Sequence, residues 1–178
     1  LGVSEALRTV DSSDKSEIRV LDAGTGAIPI LAIHAALLSE KVRVVALELN
    51  PHSATMARSI VKALGLQSQI TILHADAISF QSDKQFDLVV SETMHSGLTA
   101  EPIVQIFSNI KRYLRNGGIA LPSEIRVNAA LVSLEDWIYP RGYVKIYGAH
   151  HHVVSSAWTE VAQYHPGDRL SEIAFDIP

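Results

Sequence analysis

Cysteine is absent from this chain of 178 residues. Its absence excludes a disulfide framework, a thiolate nucleophile and any zinc site that depends on cysteine ligands. Long apolar runs are missing as well: no segment is long enough to cross a membrane, and no secretory signal pattern is present. We therefore expect no membrane association, and we predict a cytoplasmic protein, since the composition fits a reducing compartment.

Positive charge is also scarce. Lys and Arg total 15 against 19 Asp and Glu, which gives a formal net charge of −4, and there is no long basic run. This balance disfavours nucleic acid bound by broad charge neutralisation, but it is compatible with a basic peptide or a small cationic substrate. Apolar residues make up 47 % of the chain, which is enough for one sizeable core with an attached piece.

Short apolar segments alternate with segments of helical periodicity between residues 18 and 122. The predicted strands are 18–23, 42–49, 70–76, 86–92 and 118–124. The predicted helices are 27–40, 51–66 and 100–118, with Pro29 in a first turn, Asn50-Pro51 as a start, Gly65 as an end and Asn116-Gly117 as a stop. Apolar strands separated by helices predict an α/β fold: a Rossmann-like, doubly wound, mostly parallel sheet with helices on both faces.

The character of the chain changes after Pro122. Residues 125–140 are strand-like and 141–158 lack a helical period, whereas 158–164 fits either a short helix or a strand. We therefore predict a ligand-binding domain over 1–122 and a partial β-rich C-terminal region over 123–178.

Acidic side chains stand at the ends of four consecutive predicted strands. They are Asp22, Glu48, Asp76 and Glu92. Because ligands of open parallel sheets bind beyond the carboxyl ends of the strands, this pattern predicts one binding crevice that all four residues border.

A glycine-containing loop follows the first strand. Asp22 precedes Gly24 and Gly26, but the third glycine of a dinucleotide fingerprint is missing, since Ala27, Ile28 and Pro29 follow. The glycines permit a sharp turn and a close approach of the backbone to a ligand. A carboxylate before the loop suits a ligand with an ammonium group better than one with phosphates.

This combination resembles the class I methyltransferases that use S-adenosyl-L-methionine. The resemblance covers residues 18–122 and implies that Glu48 binds the ribose, that Asp22 and Gly24 line the methionine end, and that Asp76 and Ala77 meet the adenine. The residues implied to bind the cofactor are Asp22, Ala23, Gly24, Thr25, Gly26, Glu48, Leu49, Asp76, Ala77, Ser91 and Glu92. Purely structural roles stay open: a tight turn at the glycines, a helix cap at Glu48 and a turn cap at Asp76.

The stretch Ser-Glu-Thr-Met at 91–94 resembles the start of the acceptor loop in protein arginine methyltransferases. That family holds its guanidinium between two glutamates, and here Glu101 lies nine residues after Glu92. Residues 117–123 and 128–136 resemble the same family. The resemblance implies a protein arginine acceptor, a homodimer, no metal, and catalytic roles for Glu92 and Glu101 with Met94 packed beside the reacting groups.

Departures from the family pattern keep other functions open. Thr93 stands where the family has an aromatic residue, and His95 stands where it has a small one. A neutral His95 could act as a base in a small-molecule O- or N-methyltransferase. A cofactor-binding interaction module without turnover is a further alternative, and a dehydrogenase is disfavoured by the missing third glycine. Metal binding by the histidines of 149–153 is the weaker interpretation of that segment.

Overall fold

The computed structural model describes residues 2–11, 15–94, 101–130 and 170–175. In chain order the helices are α1 (Gly2–Asp11), α2 (Ile30–Leu38), α3 (Pro51–Ala63) and α4 (Ile103–Ile110), and α4 is followed by a 3₁₀ turn at Lys111–Tyr113. The strands are β1 (Ile18–Ala23), β2 (Val42–Glu48), β3 (Ile70–His74), β4 (Phe86–Val90), β5 (Leu114–Leu121), β6 (Ile125–Ala130) and β7 (Leu170–Phe175).

Five strands form one sheet in the order β3-β2-β1-β4-β5. Every pairing in it is parallel. The chain moves outward from β1 to β3 and then returns to the other side of β1 with β4, so the direction of winding reverses between β1 and β4. Such a reversal opens a crevice at the carboxyl ends of the two strands, which is where ligands bind in doubly wound sheets.

Both faces of the sheet are buried. On one face, alternate strand residues pack in one apolar cluster with α1, α2 and α3, and the cluster includes Val20, Val44 and Ile72. The intervening residues Leu21 and Leu47 are fully buried too, as are the apolar residues Ile103, Phe107 and Ile110 of α4. The prediction of an α/β, Rossmann-like, doubly wound sheet is therefore confirmed, and the apolar character of the strands reflects burial on both sides.

Helix α3 follows its sequence signals closely. The side chain of Asn50 accepts hydrogen bonds from the N–H groups of His52 (2.9 Å) and Ser53 (3.2 Å), and Pro51 occupies the first turn. Gly65 follows the helix with φ of 70°, the left-handed conformation that glycine adopts without strain. The predicted start and end of this helix are therefore confirmed.

Helix α1 has no counterpart among the predicted elements. Its residues Val3, Ala6, Leu7 and Val10 are buried and recur at helical spacing, so the helix presents one apolar stripe to the core. Ser4 Oγ also lies 2.9 Å from Nε2 of His34 on α2. The first segment of the chain is thus part of the helical layer over the sheet.

The predicted helix over 100–118 is too long. Helix α4 ends at Ile110, and β5 already begins at Leu114, four residues before the predicted strand. Gly117, with φ of 77°, lies inside β5, where the pairing with β4 changes register between Phe86 and Leu88. The Asn-Gly pair therefore marks an irregularity within a strand, where a left-handed residue is also accommodated. Helix α2 likewise begins at Ile30, so that Pro29 precedes the helix as its cap residue.

A buried carboxylate ties the opposite end of the sheet together. Asp87 on β4 is fully buried, and its Oδ2 accepts a hydrogen bond from the backbone N–H of Arg19 on β1 at 2.8 Å. Its Oδ1 lies 2.8 Å from Nη1 of Arg115 on β5 and also contacts the ammonium group of Lys15. Two cations and a backbone donor therefore compensate one buried charge, as burial of a carboxylate requires.

A second compact unit contains β6 and β7, whereas the described residues up to Met94 and from Glu101 to Glu124 belong to the first. The two strands pair antiparallel, with Ile125 opposite Phe175 and Ala130 opposite Leu170. The strand-like prediction is confirmed for residues 125–130. The predicted element at 158–164 and the histidines at 149–153 lie outside the described residues.

Candidate functional site

The loop between β1 and α2 wraps the end of β2. The N–H groups of Gly24 and Thr25 both donate to the carbonyl of Leu47 at 2.9 Å. Gly24 has φ of 82° and Gly26 has φ of 73°, a region that other residues seldom adopt. A Cβ on Gly24 would also collide with Cγ2 of Thr93, whereas one on Gly26 would meet no atom of a described residue within 4 Å. Gly24 is therefore required for both conformation and space, and Gly26 leaves open space in front of the loop.

Asp22 is the buried acid of the site. It ends β1, its residue exposure is 1 %, and its Oδ2 accepts a hydrogen bond from Oγ1 of Thr25 at 2.6 Å. Its Oδ1 is buried and has no hydrogen-bond partner among the described residues. The pKa of Asp22 is raised from 3.8 to about 6, chiefly because the carboxyl group is buried. The Thr25 hydroxyl and the N–H of Ala32 lower the pKa, and the charge of Glu48 raises it. An unpaired, buried carboxylate oxygen is a feature that a bound cation would satisfy.

Glu48 bridges two loops at the end of β2. Its Oε2 accepts a hydrogen bond from the N–H of Gly26 at 2.8 Å, and its Oε1 accepts one from the N–H of Asn50 at 2.8 Å. The cap of α3 is Asn50 rather than Glu48, so Glu48 holds the cap residue in place. Each carboxylate oxygen has a second lone pair that remains available to a ligand hydroxyl.

Asp76 shapes the turn after β3. Its Oδ1 accepts a hydrogen bond from the N–H of Ile78 at 2.9 Å, and its carbonyl accepts one from Ser79 at 3.2 Å. The turn-capping role therefore exists, and among the described residues no partner contacts Oδ2. Ala77 is buried, whereas Ile78 and Leu49 are exposed, so two apolar side chains flank this end of the site.

The end of β4 is linked to the end of β1. The Ser91 hydroxyl donates to the carbonyl of Ala23 at 2.6 Å and lies 3.0 Å from Oγ1 of Thr93. Ser91 is buried, while Glu92 and Met94 are exposed. Glu92 therefore follows a strand end that hydrogen bonds hold beside the glycine loop.

Glu101 lies at the other end of the segment that connects β4 to α4. It is exposed and stands two residues before the first residue of α4. Neither Glu92 nor Glu101 makes a hydrogen bond or ion pair in the described part of the chain. His95, the fourth residue predicted to act in catalysis, lies outside the described residues.

Two site-forming contacts were missed from the sequence. In sequence Thr93 is only a departure from a family pattern, yet its methyl group fills the space that a side chain at Gly24 would need. Asn109 has no role predicted from the sequence, although its side-chain amide donates to the carbonyls of Ala77 (2.9 Å) and Phe80 (2.8 Å). The available signal was an asparagine three residues after Ile106, in register with the apolar residues of the helix IVQIFSNI.

The chain belongs to the methyltransferase domain family, whose model matches residues 20–118. The prediction of a class I methyltransferase that depends on S-adenosylmethionine is thereby confirmed at the level of the family. Among described residues, no helix is long and apolar enough to cross a membrane, and no cluster of three or more His, Asp or Glu could hold a metal ion.

Similar sequences are named as arginine methyltransferases. A protein arginine N-methyltransferase 5 of Oryza sativa subsp. indica is 29 % identical over 63 % of the chain and 17 % of its own length. A probable protein arginine N-methyltransferase 6 of Arabidopsis thaliana is 32 % identical over 66 % of the chain and 26 % of its own length. An arginine N(omega)-methyltransferase of Streptomyces achromogenes is 31 % identical over 66 % of the chain and 33 % of its own length. The chain thus spans at most a third of the length of these curated relatives.

Solved structures share the fold. An Arabidopsis thaliana protein arginine methyltransferase 10 aligns with a TM-score of 0.64 at 21 % identity, over 98 % of this chain and 58 % of that chain. A methyltransferase from Thiobacillus denitrificans, solved with S-adenosyl-L-homocysteine, aligns with a TM-score of 0.52 at 22 % identity, over 72 % of this chain and 46 % of that chain. The resemblance to arginine methyltransferases, first seen in residues 91–101, is thus supported by independent comparisons.

Proposed function

We propose that the protein transfers a methyl group from S-adenosylmethionine to a guanidinium nitrogen of arginine. The observation that carries the proposal is Oδ1 of Asp22 at the reversal point of the sheet, which is buried and has no partner in the described part of the chain. A carboxylate in this position fits an ammonium group, which the methionine end of the cofactor has. The residues present therefore fit the cofactor.

In this proposal three carboxylates each bind a different part of the cofactor. Asp22 meets the methionine end, beside the open space in front of Gly26. Glu48 accepts hydrogen bonds from the ribose hydroxyls with the lone pairs that its backbone donors leave free. Asp76 accepts one from the adenine amine with Oδ2, next to Ala77 and between the exposed side chains of Leu49 and Ile78.

When bound, S-adenosylmethionine would supply an electrophilic methyl group on a positively charged sulfur. The sulfur–methyl bond would break as the nitrogen–methyl bond forms, S-adenosylhomocysteine would leave, and the proton lost by the guanidinium nitrogen would pass to Glu92, Glu101 or water. The protein contributes orientation, because Glu92 and Glu101 are free to hold a planar guanidinium by forked hydrogen bonds. Ser91 and Thr93 keep the start of this loop against Ala23. Met94, which is exposed, supplies an apolar contact beside the acceptor nitrogen.

The acceptor is arginine in a protein or as a free amino acid. Three of the relatives are named for arginine methylation, and the Streptomyces relative is named for arginine without the word protein. A methyl transfer assay with labelled cofactor distinguishes the two acceptors directly. Label in an arginine-containing peptide indicates a protein substrate, and label in free arginine indicates the small molecule.

The decisive experiment combines binding with transfer. Calorimetric titration with S-adenosylhomocysteine should show binding, and Glu92→Gln should retain it while losing methyl transfer to either acceptor. Glu40→Gln, at an exposed position outside the site, is the matched control and should behave as the wild type. Folded protein that binds no S-adenosylhomocysteine contradicts the proposal, and binding with no transfer to any acceptor indicates the interaction module instead.

We also propose that the functional form is a homodimer in the cytoplasm, with residues 1–122 as the cofactor-binding domain and 123–178 as the β-rich region. The exposed face of α2 supports the dimer, because Ile30 and Leu37 are 65 % and 70 % exposed and Leu38 is 45 % exposed. Leu37→Glu should shift the sedimentation of a dimer toward the monomer, whereas Thr55→Glu, on the exposed side of α3, should not. A wild type that sediments as a monomer at micromolar concentration contradicts the dimer.

A further inference from the structure

The turn that follows β3 is held from outside by the helix that follows the acceptor loop. Asn109 on α4 is 6 % exposed, and its side-chain nitrogen donates to the carbonyls of both Ala77 and Phe80. The hydroxyl of Tyr113 donates to the same Phe80 carbonyl at 3.1 Å, and the two rings meet edge to face at 5.9 Å. Three hydrogen bonds and one aromatic contact therefore fasten residues 77–80 to a single helical segment.

These contacts restrain the turn at residues 77–80, whose conformation is not determined by the local sequence alone. Within the turn itself, Asp76 holds only the N–H groups of Ile78 and Ser79. The carbonyl of Ala77 lies in a buried hydrogen bond and that of Phe80 in part-buried ones, and a carbonyl removed from water is costly without a partner. Asn109 supplies two donors at once, which fixes the spacing between the two ends of the turn.

We infer that Asn109 is a positioning residue for the nucleobase end of the cofactor site. It fixes the position of Asp76 and Ala77 relative to the base. It also joins that turn to α4, whose first residue comes two positions after Glu101. The inference rests on the proposed function, since it requires that the turn at 76–80 reads the adenine. It adds that reading of the base depends on a side chain that touches no ligand.

The readout is discrimination between two bases rather than affinity alone. S-inosylhomocysteine carries an oxygen where S-adenosylhomocysteine carries the adenine amine, so a carboxylate acceptor rejects it. The wild type should bind the adenosine compound about tenfold or more tightly, the value expected for a hydrogen bond to a charged group. Asn109→Ala should reduce this ratio to about threefold or less, because the turn then adapts to either base.

Two further variants separate positioning from general loss of stability. Ile110→Val trims a fully buried neighbour on the same helix and should leave the ratio unchanged. Tyr113→Phe removes only the second donor to Phe80, so it should lower the ratio less than Asn109→Ala does. Hydrogen exchange should accelerate at Ile78 and Ser79 in Asn109→Ala but not in Ile110→Val.

Each outcome decides the inference. Folded Asn109→Ala with the full wild-type ratio overturns it, and if that variant does not fold, an unchanged ratio in Tyr113→Phe overturns it. A wild type that binds S-adenosylhomocysteine without discriminating between the bases also overturns it, while leaving the proposed function intact. A wild type that binds neither compound removes both.

Discussion

Asp22 offers the sharpest test of the site, because ionisation of its buried carboxyl group should lower the stability of the ligand-free protein but favour binding of the cofactor. The substitution is Asp22→Asn, which keeps the shape of the side chain and removes its charge. The structure shows a buried carboxyl group with one oxygen hydrogen-bonded to Thr25 and the other without a partner among the residues that the structure describes. Such a group should destabilise the ligand-free fold whenever it is ionised.

The magnitude follows from the pKa of Asp22, which rises from 3.8 to about 6 on folding. Each pKa unit corresponds to about 1.4 kcal/mol, so the ionised carboxylate costs the folded state about 3 kcal/mol. Between pH 3.8 and about 6 the folded state retains a proton that the unfolded state releases, so stability falls as the pH rises through this window. The cost is absent below the window and complete above it.

Urea denaturation of the ligand-free protein at several pH values measures this cost. The difference in unfolding free energy between Asp22→Asn and wild type should grow by about 3 kcal/mol from below the window to above it. Taking this difference cancels the other titrating groups and the fixed cost of burying an amide. Asp83→Asn, at an exposed position, should run parallel to the wild type. A difference for Asp22→Asn that is constant with pH would refute the desolvation of this carboxyl group.

Binding should respond in the opposite direction. The ammonium group of S-adenosylhomocysteine favours the ionised carboxylate, so affinity should increase as the pH rises through about 6. Near that pH, binding should release a proton, which appears as a dependence of the calorimetric heat on the ionisation enthalpy of the buffer. Asp22→Asn should lose both the affinity and the proton release. Equal proton release by the wild type and the variant would show that the proton comes from another group.

Three further substitutions test the site and its support. Asp87→Ala should lower the unfolding free energy by about 3–5 kcal/mol, because it leaves two cations and a backbone N–H without their shared acceptor. A change in the urea midpoint no larger than that caused by Asp83→Ala would contradict this. Glu48→Gln should weaken the binding of S-adenosylhomocysteine about 10- to 100-fold, as expected when hydrogen bonds to a charged group are lost. An unchanged affinity by calorimetry would contradict the proposal that Glu48 binds the ribose. Gly24→Ala should abolish binding, because the added Cβ collides with Thr93. Gly65→Ala has a similar φ but no described atom within 4 Å of the added Cβ, so it should cost only about 1–2 kcal/mol of stability. Equal effects of the two variants on binding would contradict the role of the contact between Gly24 and Thr93.

Local signals sufficed where the local conformation was decided by neighbours in sequence. The start of α3 is set by the Asn50 side chain and Pro51, and its end by Gly65, so short-range chemistry determined both. The same holds for the apolar strands, whose burial on both faces is visible in their composition. The convergence of Asp22, Glu48 and Asp76 at one sheet edge followed from the parallel topology alone.

Long-range contacts account for the differences. Asn116 and Gly117 are typical of a helix end, yet they lie within β5, whose neighbouring residue Arg115 reaches the buried Asp87 of β4. No local rule places that ion pair. Helix α1 similarly depends on neighbours, because its four buried residues stabilise a short helix only when α2 and the sheet cover them.

The site shows the same division between local and distant causes. Residue types at the strand ends predict that acidic groups lie along one edge of the sheet, but they do not predict the hydrogen bonds that each group already makes. Asp76 caps its own turn, Glu48 bonds two backbone groups, and Asn109 acts from 32 residues away in sequence. Partners of this kind depend on the packing of α4 against the turn, which periodicity does not contain.

The double attachment of Glu48 limits how this protein can be redesigned. In the proposed site Glu48 binds the ribose, so a cofactor analogue with a bulky ribose substituent would require a shorter side chain at this position. Here that change would also release the N–H groups of Gly26 and Asn50, and with them the glycine loop and the cap of α3. The exposed side chain of Leu49, which follows Glu48 directly, can be trimmed with both of these hydrogen bonds left in place.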